Sequence, residues 1–196
     1  LGVEPAQATA ALAASGGVVP RAEELLQSPG RLAARDLCLE TLKRLPHMDG
    51  YDVLEAARAL LGAVKAPLDE VRSVQGDEIE EYRAVLGKKV STKPLEDRHK
   101  RELTSREREG TGELLGVTQS WLRDCLVVSQ GMGAYVANAD VSDAMDEVAA
   151  VITPAAALTA IEAVDTARKR ISYNVSPQLA IEAMLFDIQE VLRCPR

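Results

Sequence analysis

The stretch Asn174-Val175-Ser176-Pro177-Gln178-Leu179-Ala180-Ile181-Glu182-Ala183-Met184-Leu185 reads as one helix stopping and another starting at once. Asn174 tolerates the left-handed conformation that closes a helix. Ser176 is a capping residue, and Pro177 takes the first helical position, where its missing N–H costs nothing. Ahead of this corner, Ile161, Val164, Ala167, Arg168 and Ile171 recur at helical spacing. Behind it, Leu179, Ala183 and Phe186 do the same. Short breaks of this kind join antiparallel neighbours, which predicts a bundle.

Composition points the same way. Of the 196 residues only 3% are aromatic, while 46% are hydrophobic and 27% charged. Few aromatics and abundant Ala and Leu argue against a β-sandwich and for helices packed through small and aliphatic side chains. The expected fold class is all-α. A chain of this length buries roughly 70% of its unfolded surface, enough for a core. The net charge of −7 argues against a protein whose main task is to coat nucleic acid. Cys38, Cys125 and Cys194 are far apart and form no CxxC pair, so neither a zinc site nor a disulfide framework is suggested, and a reducing cytoplasm fits. No apolar run approaches the roughly 20 residues that span a bilayer.

Elsewhere, breaker residues divide the chain. A helix over Pro5–Ala14 stops at Ser15-Gly16-Gly17, and a second over Pro20–Gln27 stops at Ser28-Pro29-Gly30. Leu37, Thr41, Leu42 and Leu45 line a helix broken by Pro46. Val53, Ala56, Ala57, Leu60 and Leu61 mark another, begun near Asp49. Pro67 with Asp69 and Glu70 starts a further one that runs to about Leu86, with Gly76 as a weak point. Gly87–Pro94 reads as a connector and Leu95–Glu109 as a polar stretch. A periodic helix through Leu114, Leu115, Val117, Trp121, Leu122, Cys125 and Leu126 follows, with Gly110 and Gly112 expected to bend or interrupt the join. After a loop over Ser129–Asn138, helices are expected near Val141–Ile152, Pro154–Tyr173 and Ser176–Leu192.

The corner at 174–185 resembles the last two helices of the delta-prime subunits of the bacterial DNA polymerase III clamp loader. Trp121-Leu122-Arg123-Asp124-Cys125-Leu126 is similar to a segment of the same family's collar domain. Ala14-Ser15-Gly16-Gly17 with Pro20-Arg21-Ala22 resembles the end of an AAA+ lid. A phosphate loop, a four-cysteine zinc module and a Ser-Arg-Cys motif are missing from the sequence, and Leu1 stands where an initiating Met would be. The resemblance therefore implies the C-terminal part of a longer subunit. Residues 1–28 would be the remnant of the lid domain, and 29–196 the helical collar with a charged connector near 87–110. It further implies a non-catalytic stator of the pentameric clamp loader, holding the gamma or tau and delta subunits through its collar and meeting DNA only through the whole complex. No cofactor, membrane or small-molecule substrate is implied for this stretch. The collar of a gamma- or tau-like subunit is the nearest alternative.

Candidate chemistry is sparse. His99 lies in Asp97-Arg98-His99-Lys100-Arg101-Glu102, where charged neighbours favour a solvated helix over a catalytic base. His47 follows Pro46 in a turn and is expected at the surface. Lys88, Lys89, Lys93, Arg98, Lys100, Arg101, Arg106 and Arg108 form the nucleic-acid candidate, with Lys100, Arg101, Arg106 and Arg108 its centre. A solvated face with ion pairs such as Glu102–Arg106 is the competing assignment. No aromatic interleaves the run, so base stacking is not expected there. Arg21 occupies a position where AAA+ lids carry a nucleotide-sensing arginine. Trp121 belongs to an apolar face, whereas Arg123 and Asp124 point elsewhere and suit a subunit or interhelix salt bridge. Asn174, Ser176 and Pro177 are structural, as caps and first turn.

Overall fold

Turn chemistry sets several of the helix ends. A computed structural model describes residues 2–87 and 90–194, the side chains of 142–144 excepted. Among the described residues it contains no β-strand and these helices: α1 Pro5–Ala14, α2 Val19–Gln27, α3 Pro29–Arg44, α4 Gly50–Lys65, α5 Leu68–Leu86, α6 Lys93–Ser129, α7 Asp146–Ala149, α8 Pro154–Ser172 and α9 Pro177–Arg193. The all-α expectation holds.

Local signals acted as read at several ends. Asn174 has φ 63°, and the N–H of Val175 donates to Arg170 O while the N–H of Asn174 donates to Ile171 O. That pair of bonds is a Schellman closure, and it satisfies carbonyls left over at the end of α8. Gly16, with φ 63°, closes α1 in the same way, through Gly17 N–H to Leu12 O and Gly16 N–H to Ala13 O. Asp49 and Asp52 exchange side-chain and backbone bonds in a capping box at the start of α4. Ser28 and Thr153 cap α3 and α8 through their hydroxyl oxygens. Ser176 does not act this way: it stands at the N-cap of α9 without a side-chain bond to the helix, and Pro177 alone sets the start.

Three expectations are corrected. Gly110 and Gly112 neither bend nor interrupt α6, which runs unbroken for 37 residues. A glycine costs a helix only about 1 kcal/mol, and the tertiary contacts around Gly110 and beyond outweigh that. The helix expected at 141–152 is instead a kinked 3₁₀ segment, Ala139–Ala144, with Val141 outside helical backbone angles, followed by the single turn α7. On α9 the buried stripe is Ala180, Ile181, Met184, Leu185, Ile188 and Leu192; Leu179 is 61% exposed and Phe186 37%. Both stripes have helical spacing, so periodicity identified the helix but not its inner face.

One buried cluster runs through α3, α4, α6, α8 and α9 and takes in Ala11, Ala14, Ala22 and Leu25 of α1 and α2. α8 packs along α9 and against α6, and α4 packs on α3 and α9. α8 presents Ala156, Ala157, Ala160, Ala163 and Ala167 inward, so its backbone can lie close to both partners. The turn after α3 is held to α9 by Gln189, whose Nε2 donates to Leu45 O and Met48 O at 2.8 Å each.

α5 and the first half of α6 stand apart. α5 buries only Leu68 and Gln75, and α6 as far as Gly110 buries only His99. They run antiparallel as an arm that α5, 19 residues long, extends for about 28 Å. Its seam is polar. Gln75 Nε2 donates to Glu102 at 3.0 Å and Arg83 Nη2 lies 3.4 Å from Glu96, while Lys65, the last residue of α4, ties that helix to α6 through Glu107 at 3.2 Å.

α1 reaches the bundle over Gly116. A Cβ at that position would lie 2.2 Å from the carbonyl oxygen of Ala14, a backbone atom that cannot swing aside, whereas a Cβ on Gly112 meets nothing within 4 Å. Gly116→Ala is therefore expected to lower stability by about 1–3 kcal/mol in urea unfolding. Gly112→Ala, one turn away, is expected to raise it by up to about 1 kcal/mol.

Candidate functional site

The C-terminal half of α6 carries an acid with no exposure at all. Asp124 is 0% exposed and accepts the backbone N–H of Ala137 (3.0 Å to Oδ1, 2.9 Å to Oδ2) and of Asn138 (2.7 Å). It also takes Asn138 Nδ2 at 2.8 Å and Arg123 Nη1 at 3.0 Å. Asn138 Nδ2 reaches Ser120 Oγ at 2.9 Å, while Asn138 Oδ1 accepts from Arg35 Nη2 of α3 at 3.1 Å. Arg35 in turn forks onto Asp140 with bonds of 2.8 and 3.0 Å. A desolvated carboxylate is tolerated only with its lone pairs filled, and here a loop supplies the donors. The expectation of an interhelix salt bridge is corrected accordingly, since Arg123 pairs with Asp124 within α6. The acid anchors residues 137–138, and Arg123 is a half-exposed neighbour. Trp121 is fully buried beside it, as expected, although its Nε1 has no hydrogen-bond partner among the described residues. Arg35, Asn138 and Asp140 carried no local signal that distinguished them from surface polar residues.

The basic run lies on the arm and divides by partner. Arg98 pairs with Glu78 at 2.6 Å and Arg106 with Glu102 at 2.9 Å, so these two serve the fold. Lys100, Arg101 and Arg108 are exposed and make no ion pair among the described residues. Lys88 and Lys89 lie outside the described residues. His99 departs from expectation: it is 5% exposed and its Nε2 sits 2.8 Å from Glu78 Oε2. The ring is a wedge between α5 and α6 because Glu78 comes from another helix, and sequence neighbours do not reveal that. His47 is exposed as expected and meets Glu147 at 3.0 Å.

Between α1–α2 on one side and α6 with α8 on the other lies an open cleft of about 1140 Å³. Arg21, Arg31, Arg108, Arg123 and Arg168 line it, together with Glu24, Glu109 and Glu113. The structure thus brings Arg21, Arg108 and Arg123 to one place, while Lys100, Arg101 and Arg106 lie outside that lining. Arg31 holds Glu113 at 2.8 Å, yet burial pushes the Glu113 carboxyl above its ordinary value, since desolvation outweighs the guanidinium. Burial also raises the Cys38 thiol to about 11 and the Cys125 thiol further, so neither is a ready nucleophile. Among the described residues no cluster of His, Cys, Asp and Glu has the arrangement to hold a metal, and no helix is long and apolar enough to cross a membrane.

Residues 102–190 match the family described as DNA polymerase III, delta subunit, C terminal. The segment from the middle of α6 to near the end of α9 is thus similar to the C-terminal region of a clamp-loader subunit. No curated protein and no solved structure matches the chain.

Two outcomes follow from this geometry. Asp124→Ala strands two buried amides and Asn138, and is expected to cost about 3 kcal/mol in chemical unfolding, against less than about 1 kcal/mol for Arg123→Ala. Glu78 is held below the ordinary carboxylate value by hydrogen bonds from His99 and Arg98. Its contribution to folding is therefore complete above the unfolded carboxylate value and is lost as pH falls through the lowered one. Amide protection along α5, taken relative to the intrinsic exchange rate at each pH, should fall over that acid interval in the native chain, and Glu78→Gln should make this acid step smaller.

Proposed function

We propose that this chain is the C-terminal part of a delta-prime-like subunit of the DNA polymerase III clamp loader, and that its helical bundle is the collar joining it to sister subunits. The observation that carries this is the match over residues 102–190, because both segments that resemble delta-prime, 121–126 and 174–185, fall inside it. A stator needs a stiff body with lateral faces. A continuous core through α3, α4, α6, α8 and α9, with Leu158, Leu179 and Phe186 exposed on α8 and α9, suits that need. Interfaces that hold such assemblies bury on the order of 1,200–2,000 Å².

Residues 1–28 are assigned to the end of an AAA+ lid, and 29–196 to the collar. Arg21 would then stand at a lid position, with no phosphate loop in this stretch to act upon. The role is structural rather than catalytic, and the compartment is the cytoplasm. The family description names delta, so a delta-type collar is the second assignment, and a gamma- or tau-like collar the third.

Co-purification separates them. A delta-prime-like chain should form a stoichiometric complex with purified gamma- and delta-type collars, as read by size-exclusion chromatography. A chain that instead binds delta-prime and competes with delta is delta-type. No association with any of these collars overturns the assignment.

A further inference from the structure

We propose that the arginine-lined cleft between α1–α2 and α6/α8 binds the phosphates of a nucleic-acid strand without reading its bases. The chain as a whole is acidic, at −7, yet five arginines from four helices converge on this one cleft. Three of them are already engaged: Arg31 by Glu24 and Glu113, Arg123 by Asp124, and Arg168 by Asp165 and Gln119. Arg21 and Arg108, facing the cleft from opposite walls, form no hydrogen bond or close ion pair among the described residues. The two therefore present guanidinium forks with no hydrogen bond among the described residues, although the Arg21 charge acts on the nearby Glu113 carboxyl, and their planar geometry matches phosphate oxygens two at a time.

Two further observations define the ligand. The Ser15 hydroxyl belongs to the lining, is buried, and has no hydrogen-bond partner among the described residues, which leaves a donor for an anionic oxygen. No aromatic residue lines the cleft; beside the arginines stand small residues such as Ala13, Gly16 and Gly112 and three acids, of which Glu24 and Glu113 are paired with Arg31 and Glu109 is the third, so the arginines outnumber the carboxylates five to three. Bases have no surface to stack upon, so contact is through the backbone. At about 1140 Å³ the cleft exceeds the roughly 300–1,000 Å³ of small-ligand sites, room for more than one nucleotide. This site stands on the cleft alone. Failure of the collar co-purification leaves it intact, and its own failure leaves the collar assignment intact.

The test uses the full 196-residue chain and a fluorescein-labelled single-stranded oligonucleotide of mixed sequence, read by anisotropy across a salt series. The native chain should bind at low salt, with affinity falling steeply as salt rises. Arg21→Ala/Arg108→Ala should weaken binding tenfold or more. It should also flatten the log–log salt slope by about 1.4, at roughly 0.7 for each phosphate contact on a single strand. Lys100→Ala/Arg101→Ala, outside the cleft lining, should stay within twofold of the native chain. Circular dichroism checks folding, and Arg21→Lys/Arg108→Lys supplies a second, charge-preserving variant with a smaller loss. Absence of binding at low salt, or unchanged binding by the alanine pair, overturns the proposal. Loss confined to Lys100→Ala/Arg101→Ala assigns binding to the arm and overturns it too. Tripolyphosphate is the comparison probe: binding of tripolyphosphate without the oligonucleotide makes the ligand a free phosphate and overturns the strand.

Discussion

A carboxylate with no exposure to water dictates the architecture around α6. Asp124 is kept inside the protein only because the backbone amides of Ala137 and Asn138 fold back onto it. Leaving a buried carboxylate unbonded costs several kcal/mol, so the loop after α6 has one acceptable path. That path delivers Asn138 to Ser120 and Arg35, and Arg35 to Asp140. The irregular stretch between α6 and α8 is thereby locked to α3. It becomes a fixed wall of the bundle although it contains little regular helix.

Close approach is the second constraint, and small residues satisfy it. Gly116 lets the last carbonyl of α1 rest on α6, and the alanines of α8 let α6 and α9 close in from either side. The scarcity of aromatics suits this close packing, and Trp121 is a large, fully buried side chain within it. The same seating of α1 and α2 opens the cleft in which arginines from four helices meet. Packing and charge are thus coupled: the contact that shapes the cleft also orders its basic wall.

The arm obeys different physics. Its seam is made of ion pairs and amide bonds in half-exposed positions, each worth about 0–1 kcal/mol. It is correspondingly easier to open than the bundle and sensitive to acid through Glu78, whose carboxyl is held below its ordinary value by hydrogen bonds from His99 and Arg98.

Much of this was legible in the residues themselves. Asn174 with Pro177, Asp49 with Asp52 and Gly16 act through backbone groups within a few positions, so the sequence determined those helix ends, the all-α class and the segments similar to a clamp-loader subunit. The tertiary structure decided which stripe of α9 turned inward, that Gly110 and Gly112 sit in an unbroken helix, and that His99 is buried rather than solvated. It also decided that Asp124 holds a loop and that Arg21, 87 positions from Arg108 in the chain, shares a cleft with it. Backbone capping is settled by neighbours along the chain. Burial and charge pairing are settled by neighbours in space, and residues of equal periodicity or equal charge carry no local mark of which neighbours those will be.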